Sequence, residues 1–195
     1  MNTFANKAME LIYADAQEVY VRSVAEYCEY AITLQTNLKT YGRAQSTIDY
    51  HYDELLGCVS YFRQRLSRLI TGNGQRRKDE YKLIFITSIE GTKNTYDRHR
   101  SLHAHIAIGN TGLTEDETTR RLLEEGIRLI WTRTKVGIDD ITVIDMRQQH
   151  RQGWGGYMNK EAHKGNTGVI DYSNTQLPQH LIKTPKADYA KTCLD

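Results

Sequence analysis

The chain has few of the residues that build thiolate cages or stapled folds. Three cysteines occur among 195 residues, Cys28, Cys58 and Cys193, with no C-x-x-C spacing between any two. A thiolate zinc site and a disulfide framework are therefore not expected, and a reducing, cytoplasmic setting is. No apolar run approaches the roughly 20 residues needed to cross a bilayer. The opening MNTFANKAME lacks a basic segment followed by a long apolar core, so no secretory signal is expected. No G-x-x-x-x-G-K-[ST] stretch is present, which removes the usual nucleotide-driven motor. Proline is scarce, at two residues, while apolar content reaches 39%, so the chain should be compact rather than disordered.

Net charge is also small, +2, and does not by itself announce a polyanionic partner. Its distribution says more. Arg63, Arg65, Arg68, Arg76, Arg77 and Lys78 form one basic stretch, and the segment from Arg147 to Lys164 holds another. Such patches attract phosphate, although a solvated basic face looks the same in sequence.

Periodicity divides the chain. Residues 4–29 read as helix, and AITLQTNL (31–38) alternates as a half-buried strand. Ser46 is the expected cap of a long helix whose stripe Leu55, Val59, Phe62, Leu66 and Leu69 should lie on a sheet. YKLIFITSI (81–89) and 102–108 read as strands of a hairpin turning near Tyr96 and Asp97. Thr114 and Glu117 make a capping-box pattern opening a helix that buries Leu122, Leu123, Ile127, Ile130 and Trp131. A strand over 140–146, a glycine-rich connection and a short helix over 157–164 follow, and 168–172 offers a further strand. This order implies an α+β domain with a mainly antiparallel sheet, helices on one face and the other face open. The divisions are an N-terminal helical extension (1–30), one domain (31–176) and a tail (177–195).

In LHAHIAIG, His103 and His105 stand at i and i+2. On a strand that spacing sends both imidazoles to one face, about 7 Å apart at the backbone. Leu102, Ala104, Ile106 and Ile108 take the other side. Two neutral imidazoles form a clip for a divalent metal that lacks a third ligand. If the hairpin turns where expected, Glu90 lies across from His103 and points to the same side. Gln148, Gln149 and His150 compete for that role. In GWGGYMNKE, Tyr157 and Lys160 share a helix face at i and i+3, so an ammonium stands near a phenol. A phenol with a pKa near 10 needs such help to act as a nucleophile. With 13 tyrosines in the chain, an ordinary amphipathic helix is the competing reading.

Taken together, AITLQTNL, LHAHIAIG and GWGGYMNKE resemble, in the same order, the motifs of HUH endonucleases, specifically the replication initiators of rolling-circle plasmids and single-stranded DNA phages. The resemblance spans Ile32 to Lys164. It implies an HUH fold with a sheet of about five strands, packed by helices on one face and preceded here by an additional helix. His103 and His105 would be metal ligands, joined by Glu90, for Mn²⁺ or Mg²⁺. Tyr157 would be the covalent nucleophile and Lys160 its accessory. Position 161 is Glu161, which implies a single-tyrosine enzyme. Thr33, Gln35 and Asn37 would line the path of single-stranded DNA. Arg147, Arg151 and Lys164 would contact phosphate and Trp154 would stack on a base or pack. The implied activity is nicking and rejoining of single-stranded DNA at a replication origin, through a 5′-phosphotyrosyl intermediate. A host helicase and a polymerase would be its partners. A transposase or relaxase with the same chemistry, a non-catalytic nucleic-acid-binding module and a metal hydrolase using water are the alternatives.

Overall fold

A computed structural model describes residues 3–73, 78–92, 101–147, 151–160, 162, 166 and 168–182. The elements are α1 (Thr3–Ala25), β1 (Cys28–Lys39), α2 (Gln45–Thr71), β2 (Ile84–Glu90), β3 (Ser101–Gly109), α3 (Glu117–Trp131), β4 (Gly137–Asp145), α4 (Arg151–Met158) and α5 (Gln179–Ile182). Among the described residues no helix is long and apolar enough to cross a membrane.

The expected α+β class holds, with one antiparallel sheet in the order β2-β3-β1-β4. Among the described residues it has four strands rather than five. The segment expected to add the fifth meets β2 only through two isolated bridges, Ser88 with Ile170 and Phe85 with Gln176. Between them the Asp171 carboxylate accepts hydrogen bonds from the Ser173 hydroxyl and the Asn174 N–H, folding a turn that interrupts the pairing. The bridges still occupy backbone groups along the outer edge of β2 and so shield it.

Alternation along the strands sorts the sheet into two faces. On one, Tyr30, Ile32, Leu34, Phe85, Ile89, Leu102, Ala104, Ile106 and Ile108 meet Leu55, Val59, Phe62 and Leu66 of α2 and Leu123, Ile127 and Trp131 of α3. Leu69 and Leu122, expected in this layer, are exposed instead. A helical period of 3.6 residues carries a long stripe gradually off the contact line. The helix caps also differ from expectation. α2 starts after Ala44 without a side-chain cap, and α3 is capped by Asp116, whose carboxylate accepts the Thr119 N–H at 2.8 Å. Thr114 supports that carboxylate through its hydroxyl rather than capping the helix itself.

The second face is half covered rather than open. Ala31, Ile84, Ile86 and Ala107 pack with Ala14 and Val21 of α1 and Met158 of α4. Helices therefore lie on both faces, and the expectation of helices on one face is corrected. The apolar inner side of α1 is the cause, because it must be buried somewhere and the small residues Ala31 and Ala107 give it room.

α1 thus supports α4. The Asn159 side chain donates to the Ala14 carbonyl at 2.9 Å. A Cβ at Gly155 would stand 2.9 Å from the Arg22 Cα, so a side chain there would push the two helices apart. That approach explains why glycines expected to form a connection instead build the body of α4, at a helix-propensity cost of about 1 kcal/mol each. Tyr157 consequently lies in the last turn of α4, not at the start of a later helix. At the other end of the chain, Leu177 and Leu181 pack against the second core, while residues 183–195 lie outside the described ones.

Trp131 ties the main core to β1. It is fully buried, meets Phe62 edge-on at 5.9 Å and donates its indole N–H to the Gln35 carbonyl at 2.8 Å. Trp131→Ala should cost about 3–5 kcal/mol of unfolding free energy. Urea denaturation of the two proteins measures the difference, and a loss under about 1 kcal/mol would contradict this placement.

Candidate metal and tyrosine site

The site grows out of one strand pairing. β2 and β3 align so that Glu90 faces His103 and Ser88 faces His105. The turn expected near Tyr96 and Asp97 lies outside the described residues, yet the pairing it was expected to impose is present. Glu90 Oε2 is 3.3 Å from His103 Nε2 and 3.4 Å from His105 Nε2. One donor atom from each of the three residues falls within 4.8 Å of the other two, a group that could hold a metal ion. Gln148, Gln149 and His150, the competing third ligands, lie outside the described residues.

The chemistry of these donors fits a cation. His103 Nδ1 is 3.1 Å from the Ser101 carbonyl, which can only accept, so Nδ1 carries a proton and Nε2 is the nitrogen turned toward Glu90 and a metal. His105 Nδ1 is 3.0 Å from the Thr33 hydroxyl oxygen. If that oxygen accepts the Nδ1 proton, His105 has the same tautomer and also offers Nε2. The buried Glu90 Oε1 and His105 Nε2 lack hydrogen-bond partners. Leaving such atoms unsatisfied costs about 1–3 kcal/mol each, and a bound cation would satisfy them.

Electrostatics favours the ligand forms. Burial pushes the Glu90 pKa up, but His103, His105 and Lys160 outweigh it and hold the carboxyl well below the usual range. Burial lowers the His105 pKa, and the opposing effect of Glu90 does not reverse it, so the imidazole stays neutral at neutral pH. Gly91 shapes the end of β2. Its φ is +86°, and a Cβ there would lie 2.5 Å from the Ser101 carbonyl oxygen that orients His103. Glycine lets the chain turn away directly after Glu90 without displacing that acceptor.

The tyrosine helix closes over this cluster. The Tyr157 ring meets the His105 ring nearly at right angles, 4.9 Å between centroids, and stacks on Trp154 at 5.0 Å. Tyr157 keeps 41% of its surface exposed, so its phenol is reachable. Lys160 Nζ lies 3.6 Å from the centre of the Tyr157 ring and 3.0 Å from Glu90 Oε2. Burial works against the Lys160 charge, but hydrogen bonding to Tyr157 and Glu90 outweighs it and raises the pKa. One ammonium therefore links the phenol to the carboxylate. The i, i+3 relation survives although Lys160 is in the turn after α4, because its N–H bonds the Tyr157 carbonyl.

The remaining expected residues divide. Gln35 stands across from His103 and is half-buried, and Asn37 is exposed further along β1. Thr33 bonds His105, so it is first a positioning residue for the imidazole. Trp154 is half-buried, stacked on Tyr157 and edge-on to His105, and serves as a wall of the site. Arg147 is not available to phosphate. Its guanidinium donates to the Asp145 carboxylate, the Tyr30 hydroxyl and the Leu113 carbonyl, and it lies over the Tyr30 ring. Tyr30 belongs to the face opposite the histidines, which removes Arg147 from the site. Arg151 begins α4, and Lys164 lies outside the described residues. Sequence reading missed the support from Thr33 and from α1. The Thr33 link follows from strand parity only once β1 is known to pair with β3, and the α1 link is signalled only by apolar residues on a helix that begins before the motifs. No family model, curated protein or solved structure matches this chain.

Thr33→Val removes the hydroxyl beside His105 at nearly constant volume. Calorimetric titration should show Mn²⁺ affinity falling roughly 10–100-fold, with little change in thermal stability. Unchanged affinity would remove Thr33 from the account.

Proposed function

We propose that this chain is a metal-dependent DNA-nicking and rejoining enzyme of the HUH kind, acting on single-stranded DNA at a replication origin. The observation that carries the reading is convergence: an accessible tyrosine and a half-buried lysine meet a two-histidine, one-carboxylate cluster. An ordinary amphipathic helix does not require Tyr157 and Lys160 to converge on His105 and Glu90.

Tyr157 Oη attacks the phosphorus of a phosphodiester. The P–O3′ bond breaks, the tyrosine becomes joined to the 5′-phosphate, and the 3′ oxygen leaves and takes up a proton. The phenolic proton passes to solvent or a nearby base. A divalent ion at Glu90, His103 and His105 would polarise a non-bridging phosphate oxygen and stabilise charge on the leaving oxygen. Lys160 holds positive charge against the Tyr157 ring and beside Glu90, where it would help hold the phosphate under attack. Trp154 and His105 limit the rotation of the Tyr157 ring and orient it for attack. Attack by a 3′-hydroxyl on the phosphotyrosine reverses the step with no nucleotide cofactor. Of the two expected ions, Mn²⁺ suits two imidazoles better than Mg²⁺ does.

Gln35, across from His103, and the exposed Asn37 are the proposed DNA contacts on β1, and Arg151 and Lys164 are proposed as further phosphate contacts. The free 3′-end would prime a polymerase after a helicase recruited from the host opens the duplex. Incubation with labelled single-stranded origin DNA and Mn²⁺ should give a protein–DNA adduct that survives denaturation, lost in Tyr157→Phe and with chelator. Cleavage without an adduct would favour hydrolysis by water, and an undiminished Tyr157→Phe adduct would reject the assigned nucleophile.

A further inference from the structure

α2 and α3 leave a groove between them on the side away from the sheet. Its volume is about 270 Å³, room for one or two apolar side chains, and Leu69 and Leu129 line it with 54% and 53% of their surface exposed. The half-buried Ile130 adds to the same apolar floor. Gly126 keeps that floor in place. A Cβ there would stand 2.5 Å from Leu69 Cδ2, so any larger residue would push the Leu69 side chain out of the groove. Glycine weakens a helix interior, and no other contact of Gly126 calls for one.

Three arginines surround the floor, Arg65, Arg68 and Arg133, and no carboxylate lines it. Among the described residues none of the three is ion-paired, whereas Arg120, Arg121 and Arg128 are each matched by a glutamate of α3 itself. Arg65 lies over the Tyr61 ring, 6.0 Å from its centre. Unneutralised positive charge therefore gathers around an exposed apolar floor.

We infer that this groove docks an acidic amphipathic segment of a partner protein. Apolar side chains on one face of the segment cover Leu69, Leu129 and Ile130, and carboxylates beside them pair with Arg65, Arg68 and Arg133. Guanidinium groups suit that role because each can grip a carboxylate through two parallel N–H bonds. A helix laid in a groove presents apolar anchors one turn apart, with charges on its flanks. A phosphate backbone would neutralise the arginines but leave Leu69 and Leu129 without an apolar partner, so a peptide satisfies the groove more fully. α2 and α3 cover the face of the sheet opposite His103 and His105, so an occupant leaves the metal and tyrosine cluster free. The docking surface does not rest on the proposed nicking activity.

Fluorescence anisotropy tests the groove with a labelled helical peptide that carries leucines at i, i+3 and i+7 and glutamates beside them. The peptide should bind the full chain at tens of micromolar and shift the Leu69 and Leu129 methyl resonances in NMR spectra. Arg65→Glu combined with Arg133→Glu should weaken binding about tenfold or more, with an unchanged melting temperature. Glutamines in place of the peptide's glutamates should weaken it likewise. No binding, or binding that neither change weakens, overturns the proposal. So does oligothymidylate moving the same methyls when the peptide does not, which would make the groove a nucleic-acid surface. Self-association of the chain that the two arginine substitutions abolish would assign the groove to a second copy and also overturn it.

Discussion

The antiparallel pairing of β2 with β3 is the constraint on which the site depends. A strand register has a period of two, so a slip of one residue would send Glu90 to the opposite face from His103 and His105. The buried residues on the far face prevent that slip, because Phe85, Ile89, Leu102, Ala104, Ile106 and Ile108 would all be turned outward together. Hydrophobic burial thus sets the geometry of the polar cluster, although none of the six apolar residues touches the chemistry. The pairing of β3 with β1 on its other edge brings Thr33 beside His105 and Gln35 beside His103.

Two opposing demands meet in the cluster. A carboxylate and an imidazole as buried as Glu90 and His105 are costly to place without partners. Lys160 offsets part of that cost through its ion pair with Glu90, and the hydroxyl and carbonyl behind the imidazoles offset more. Glu90 Oε1 and His105 Nε2 remain without hydrogen-bond partners, and a bound cation would offset that cost. The second core performs the corresponding task for Tyr157. By fixing α4 against α1 it brings the phenol to the edge of the cluster while leaving it accessible.

Much of this was legible in the sequence because it rests on local period. His103 and His105 share a face by strand parity alone, and Glu90 joins them by counting across a hairpin. Tyr157 and Lys160 meet because one helical turn relates them. What was not legible depends on non-local packing. Glycines at 153, 155 and 156 look like a loop until α1 is seen to approach within van der Waals distance of Gly155. Arg147 looks like a phosphate ligand until Asp145, Tyr30 and Leu113 are seen to use its donors. The fifth strand failed for a local reason, the Asp171–Asn174 turn, whose side-chain hydrogen bonds compete with the ladder.

The central claim is that Glu90, His103 and His105 together hold one divalent ion beside Tyr157. Electron spin-echo envelope modulation of the Mn²⁺-loaded protein tests it most directly, because it detects nitrogen bound to the metal. The account predicts one tightly held Mn²⁺ per chain coupled to two imidazole nitrogens, with one coupling lost in His103→Ala and Mn²⁺ binding strongly weakened in Glu90→Ala. Mn²⁺ that shows no nitrogen coupling, or couplings unchanged in His103→Ala, would contradict it.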